Sequence, residues 1–175
     1  ITVDNQGNVF ASDSGNYRIQ KFKPVDDGNG NISYAFETQW GHNGTEDGNF
    51  KAPAGIDVDG SGKVYVVDAN NCRIQKFKPV DNGSGNISYV FERQWGRCGA
   101  GNGEFHDSSN PARGIAADAS GNVYVADTGN NRIQKFDANG GFIKAWGSYG
   151  TGNGQLYQPF NLAVDGDGNV YVADA

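Results

Sequence analysis

The side chains best able to do chemistry in this chain arrive as copies. Asp68 stands ahead of Arg73 and Asp127 ahead of Arg132, while Asp174 repeats the acid near the C-terminal end. A carboxylate beside a guanidinium suits anion binding or proton transfer. A catalytic constellation, however, is usually assembled once and differs from its pseudo-copies. Copies this alike read as scaffold: an Asp that ties down a turn, and an Arg whose stem covers apolar surface. The two histidines, His42 and His106, supply no unambiguous metal-ligand pair. Ser14, Ser108 and Ser109 are turn serines with no base beside them, and neither a G-x-S-x-G elbow nor an H-E-x-x-H helix occurs. Asp27, Asn29 and Asn31 imitate the start of a calcium loop, but Ile32 stands where that loop needs glycine and no Glu fills its last position. This stretch, PVDDGNGNIS at Pro24–Ser33, and its copy PVDNGSGNIS at Pro79–Ser88 read as long hairpin turns. No catalytic residue, metal ligand or cofactor is expected.

The residues that must position these side chains form a tiled unit. R-I-Q-K-F is written at Arg18–Phe22, Arg73–Phe77 and Arg132–Phe136. Ahead of it stand ITVDNQGNVFASD (Ile1–Asp13), GIDVDGSGKVYVVD (Gly55–Asp68) and GIAADASGNVYVAD (Gly114–Asp127), and NLAVDGDGNVYVAD returns at Asn161–Asp174. Each unit holds a short apolar strand, a D-x-x-G turn, a V-Y-V-A-D strand, the R-I-Q-K-F strand, and a fourth strand ending in Trp40, Trp95 or Trp146. No stretch carries a helical period. Four short strands cannot bury both faces alone. Stacking four-stranded sheets around an axis solves that and hides their edges, which predicts an all-β propeller. The tryptophans are expected to occupy equivalent structural positions. The units run over 1–54, 55–113, 114–160 and an incomplete 161–175. Three and a half blades are expected to belong to a larger ring, with the remaining blades supplied by the rest of the parent polypeptide.

G-I-x-V-D-x-x-G-x-V-Y-V-A-D, the following G-N-N-R-I-Q-K-F, and linkers such as GAGNGEF (Gly99–Phe105) and GTGNGQLYQP (Gly150–Pro159) resemble the NHL repeat family over essentially the whole chain. The resemblance implies a propeller, usually of six blades, and leaves activity open because one scaffold hosts many functions. Amidating lyases similar to this family hold zinc with histidines near the axis, one just after the proline that opens the innermost strand. The matching stretches APAGI (Ala52–Ile56), NPARGI (Asn110–Ile115) and QPFNL (Gln158–Leu162) contain none. RNA-binding members of the family use a basic upper face. Here Arg97 and Arg113 share those loops with Glu46, Asp47, Glu104 and Asp107.

A net charge of −6 likewise disfavours nucleic acid, and no apolar run is long enough to span a membrane as a helix. The expected function is therefore a non-enzymatic module presenting loops to a protein or glycan partner. The alternative is a lyase or hydrolase with a site near the axis, completed by blades outside this sequence. The expected binding face holds Tyr17, Cys72 and Asn131, which differ at one equivalent position, together with His42, Arg97, Arg113, Tyr149 and Phe160. Cys72 and Cys98 lie in connections that a meander brings to one face, so a disulfide is possible there. With it, an extracellular or cell-envelope location becomes the favoured one. Asn31, Asn43 and Asn86 begin potential N-glycosylation triplets.

Overall fold

The computed structural model describes residues 1–83 and 85–175; Ser84, inside the second of the long hairpin turns, lies outside the described residues. The first sheet holds β1 (Thr2–Val3), β2 (Val9–Asp13), β3 (Arg18–Asp26) and β4 (Ile32–Trp40). The second holds β5 (Pro53–Val58), β6 (Val64–Asp68), β7 (Arg73–Asp81) and β8 (Ile87–Trp95). The third holds β9 (Ile115–Ala117), β10 (Val123–Asp127), β11 (Arg132–Phe136) and β12 (Phe142–Trp146). A last pair joins β13 (Asn161–Val164) to β14 (Val170–Ala173). Spatial order equals sequence order within every sheet, so each is an antiparallel meander, the blade of a propeller not yet closed into a ring.

Alternation along the second strand of each blade builds the core. Val64 and Val66 of β6 join Phe10, Ile19, Phe50 and Phe77 between the first and second blades. Tyr65 and Val67 point the other way, to Ile115, Val123, Val125 and Phe136 of the third blade. In β10, Tyr124 and Ala126 reach Leu162 of the final pair. A strand buried on both faces needs an unbroken apolar run, which V-Y-V-V and V-Y-V-A supply.

The D-x-x-G turns close the lower ends of the first two strands. Asp118 Oδ1 accepts from the amides of Ser120 and Asn122, and Oδ2 accepts from the Asn122 amide group and the Tyr124 hydroxyl. Burial pushes this carboxyl up, but the hydrogen bonds from Asn122, Tyr124 and Ser120 outweigh it and hold Asp118 below the usual aspartate value. Gly121 completes the turn at φ +78°, a conformation that strains any L side chain.

Two features departed from the sequence reading or lay beyond it. A bulge recurs at Lys21/Phe22, Lys76/Phe77 and Lys135/Phe136, where the third strand pairs with the fourth. The connections between second and third strands are single 3₁₀ turns, Ser14–Asn16, Ala69–Asn71 and Thr128–Asn130. Each ends on a left-handed residue: Tyr17, Cys72 or Asn131, at φ 56°, 52° and 53°. One backbone device thus fixes the position at which the repeats differ most in chemistry.

Cys72 and Cys98 form a disulfide, with Cα atoms 5.0 Å apart. It ties the second blade's 3₁₀ turn to the linker leaving its fourth strand. Because it closes a separation of 26 residues, replacing both cysteines by serine is expected to cost roughly 3–4 kcal/mol. Urea melts of the two proteins would measure this; coincident midpoints would mean that the bridge constrains little.

Candidate functional site

The linkers and 3₁₀ turns emerge on one face, here the upper face. A linker begins on glycine after each tryptophan. At Gly41 and Gly96 an added Cβ would fall 2.5 Å and 2.6 Å from the rings of Phe50 and Phe105, so only glycine lets the chain fold down over its own buried anchor.

The repeated Asp, Arg and Gln side chains hold these linkers. Asp68 is fully buried. Its Oδ1 accepts from the Lys51 amide at 2.7 Å, and its Oδ2 accepts from Arg73 Nε at 2.7 Å, Asn71 Nδ2 at 2.8 Å and Gln75 Nε2 at 3.2 Å. Arg73 Nη2 donates onward to the carbonyls of Glu46 and Asn49. Gln75 donates to Asn49 O and accepts from the Gly48 amide. The third blade repeats this. Asp127 accepts from the His106 amide and Arg132, while Arg132 reaches the carbonyls of Gly101 and Glu104 and Gln134 reaches Glu104 O. In the final pair, Asp174 accepts from the Tyr157 amide. The scaffold reading of these residues stands, with a further role for arginine. Its guanidinium clamps the backbone arriving from the preceding blade. Every charge-assisted bond here ends on carboxylate, side-chain amide or main chain.

The expected binding residues divide into two groups. Cys72 is only 2% exposed and engaged in the disulfide, so it offers no contact surface. Asn131 is partly buried: its Oδ1 accepts from the Gln158 amide and its Nδ2 donates to Gly129 O. Arg97 lies across Glu104, donating from Nε at 2.8 Å; the Gly101 amide first, and then Arg97, hold the Glu104 carboxyl below its ordinary value. His42 is exposed on the first linker, and His106 is tied through its main chain to Asp127 while its ring sits 3.3 Å from Asp107. Among the described residues no group of three or more His, Cys, Asp or Glu is arranged to hold a metal ion. Asp27, in the stretch read as a long hairpin turn, closes that turn by accepting from the amides of Asn29 and Asn31.

On and beside the last linker the remaining candidates form two pairs. The Arg113 guanidinium lies 4.6 Å from the centre of the Phe160 ring, which is 52% exposed. Tyr149, 70% exposed, meets Tyr157 edge-to-face at 5.6 Å. Tyr157 was not among the residues singled out from sequence. Its position follows the apolar linker anchor Leu156, where the other linkers carry Lys51 and His106 after Phe50 and Phe105, so variation at that position was the available signal. Tyr17 stands apart at the end of the first 3₁₀ turn. The two pairs offer aromatic faces and one cation.

The pattern that defines the NHL repeat matches residues 50–77 and 112–136. The chain is 42% identical over 69 residues to the RING finger protein nhl-1 of Caenorhabditis elegans, a match covering 39% of this chain and 7% of that protein. It is 34% identical over 100 residues to NHL repeat-containing protein 3 of Mus musculus, covering 55% of this chain and 26% of that protein. The chain thus spans a small part of each relative's length. Among solved structures, a protein from Lactobacillus plantarum superposes with a TM-score of 0.64 at 12% identity, covering 98% of this chain and 49% of that one. Virginiamycin B lyase from Staphylococcus aureus superposes with a TM-score of 0.58 at 14% identity, covering 98% and 47%. At such identities the likeness is one of fold.

Proposed function

Because the chain belongs to the NHL-repeat family of β-propellers, we propose that it is a non-catalytic binding module presenting its upper face to a protein partner. The observation that carries this reading is a contrast between two sets of residues on that face. The side chains common to the repeats are spent on one another and on linker backbone. Those peculiar to one place, Arg113 with Phe160 and Tyr149 with Tyr157, project as two exposed pairs. Aromatic and arginine side chains are the common anchors of protein interfaces. The disulfide supports an oxidising location, outside the cell or in its envelope. A lyase reading has only the shared fold in its favour.

The test compares cross-linking partners of the wild-type chain with those of a Tyr149→Ser/Phe160→Ser variant, in extracellular fractions of the source cells. A Tyr171→Ser variant serves as control, since that exposed tyrosine lies on β14 and belongs to neither pair. Loss of one and the same partner from the double variant alone, with unchanged thermal melting, is the expected result. Retention of every partner by the double variant would remove this face from consideration.

A further inference from the structure

At the lower end of the blades, away from the linkers, the repeat is broken at one side chain. Tyr65, Tyr124 and Tyr171 each donate a hydroxyl to Oδ2 of their own turn aspartate, Asp59, Asp118 or Asp165. The first blade has Phe10 at that position, so among the described residues Asp4 Oδ2 accepts from Asn8 Nδ2 alone.

Lys21 departs in the same way. Its counterpart Lys76 donates at 2.7 Å to Ala138 O, a carbonyl that the tight turn between β11 and β12 presents to it. Strands β7 and β8 have no such turn at that level. They run for nine residues each, against five in β11 and β12, and pair Pro79 with Tyr89 there. Lys21, its side chain 5% exposed, has Glu37 at 2.8 Å as its ion-pair partner and no carbonyl among the described residues.

A cavity of about 320 Å³ lies between the first and second blades here, with Asp4, Lys21, Ser61, Pro79, Ile87 and Tyr89 in its wall. The corresponding space between the second and third blades, where Tyr65 and Lys76 are bonded, holds about 140 Å³. The Tyr89 ring meets Phe10 edge-to-face at 5.6 Å. Its hydroxyl, unlike those of Tyr65 and Tyr124, has no partner among the described residues. Burial first, and then the Asp4 and Glu37 carboxylates, hold that hydroxyl above the usual phenol range, so it stays a proton donor at neutral pH.

We propose that this cavity is a binding site for a neutral polyhydroxylated ring, a single saccharide unit. Three carboxylates, Asp4, Asp59 and Glu37, stand at or beside it against one ammonium, which disfavours an anion. A cation would have to lie against the ammonium already buried there. A hydroxyl both donates and accepts, so neighbouring hydroxyls of one ring take the protons of Lys21 and Tyr89 and give their own to Asp4. Pro79 and Ile87 supply an apolar wall for the C–H face of the ring. The volume is at the small end for ligand pockets, with room for one ring.

Amide chemical shifts of the isotope-labelled chain, titrated separately with the methyl glycosides of glucose, galactose, mannose and N-acetylglucosamine, test this. Saturable shifts at residues 4–6, 59–62 and 87–89 with at least one of them are expected. Phe10→Tyr restores the hydroxyl that the other repeats give to their turn aspartate, and should abolish the shifts without lowering the melting midpoint. Tyr89→Phe should weaken binding by roughly threefold to tenfold, the range for one hydrogen bond, and serves as the second variant should Phe10→Tyr disturb the core. No shift with any of the four glycosides at tens of millimolar overturns the proposal. Undiminished binding by either variant with an unchanged melt overturns it too. Shifts at these residues with acetate or tetramethylammonium, and none with a glycoside, would overturn it in favour of a charged ligand.

Discussion

Asp68→Ala is expected to destabilise the chain by about 3–5 kcal/mol, the range for removing one partner from a buried, hydrogen-bonded ion pair. Four donors converge on this one fully buried carboxylate: the Lys51 amide, Arg73, Asn71 and Gln75. Its loss leaves the Arg73 guanidinium, whose side chain is 8% exposed, without its counter-charge, and releases the amide that fixes where the linker turns into β5. The double variant Asp68→Ala/Arg73→Ala should lose less than the sum of the single losses, because the two side chains act as one unit. The first blade supplies an internal control. Asp13 makes the same bond to Arg18, but both side chains are partly exposed and hold no linker, so Asp13→Ala should leave the melting midpoint nearly unchanged. Urea denaturation of the wild type, Asp68→Ala, Arg73→Ala, the double variant and Asp13→Ala checks all of this. A loss at Asp68 no greater than that at Asp13 would mean that the clamps are ornament and that linker position is set by the apolar anchors alone.

That contrast marks where the sequence was legible. Strand type, blade order and the equivalence of the tryptophans follow from short-range chemistry: period-two alternation, β-branched and aromatic runs, and Asp–Gly turns. Trp40, Trp95 and Trp146 do face Ile19, Ile74 and Ile133 in the same register. The clamp was not legible because arginine and glutamine find their partners in carbonyls far back along the chain, as from Arg73 to Glu46 and from Gln134 to Glu104. Backbone oxygens carry no signature in sequence. The bulge between Lys76 and Phe77 was hidden for a related reason. It is set by the pairing of two strands, and neither strand alone announces it. The site was half legible. Comparing repeats at one aligned position found Tyr17, Cys72 and Asn131, yet that position serves three ends: an exposed ring, a disulfide and a support for Gln158. Differences between copies locate positions freed from the common scaffold, without saying whether each was then used for binding or for local bracing.

The tryptophans should be among the most costly side chains to remove. Trp40→Ala and Trp95→Ala are each expected to lose about 3–5 kcal/mol. Trp40 stacks on Tyr89 at 4.6 Å and meets Phe77 at 5.7 Å, both from the second blade. Trp95 meets Phe136 of the third blade at 6.0 Å, and its ring lies where a Cβ on Gly140 would come within 2.6 Å. Each indole, partly buried, therefore fills space between two sheets. The indole nitrogens of Trp40 and Trp95 are buried without a protein hydrogen-bond partner. Trp→Phe at these positions thus removes no protein hydrogen bond and should cost far less than Trp→Ala, whereas a hydrogen-bonding role would make the two losses similar. Gly140→Ala should imitate the damage from the opposite side, by pushing a methyl group into the Trp95 ring at a backbone φ of +81°. Urea melts of this set decide the matter. Losses below about 1 kcal/mol for both Trp→Ala variants would move the tryptophans from the core to the surface, where a row of three rings in register would become a ligand-stacking platform instead of the packing between blades.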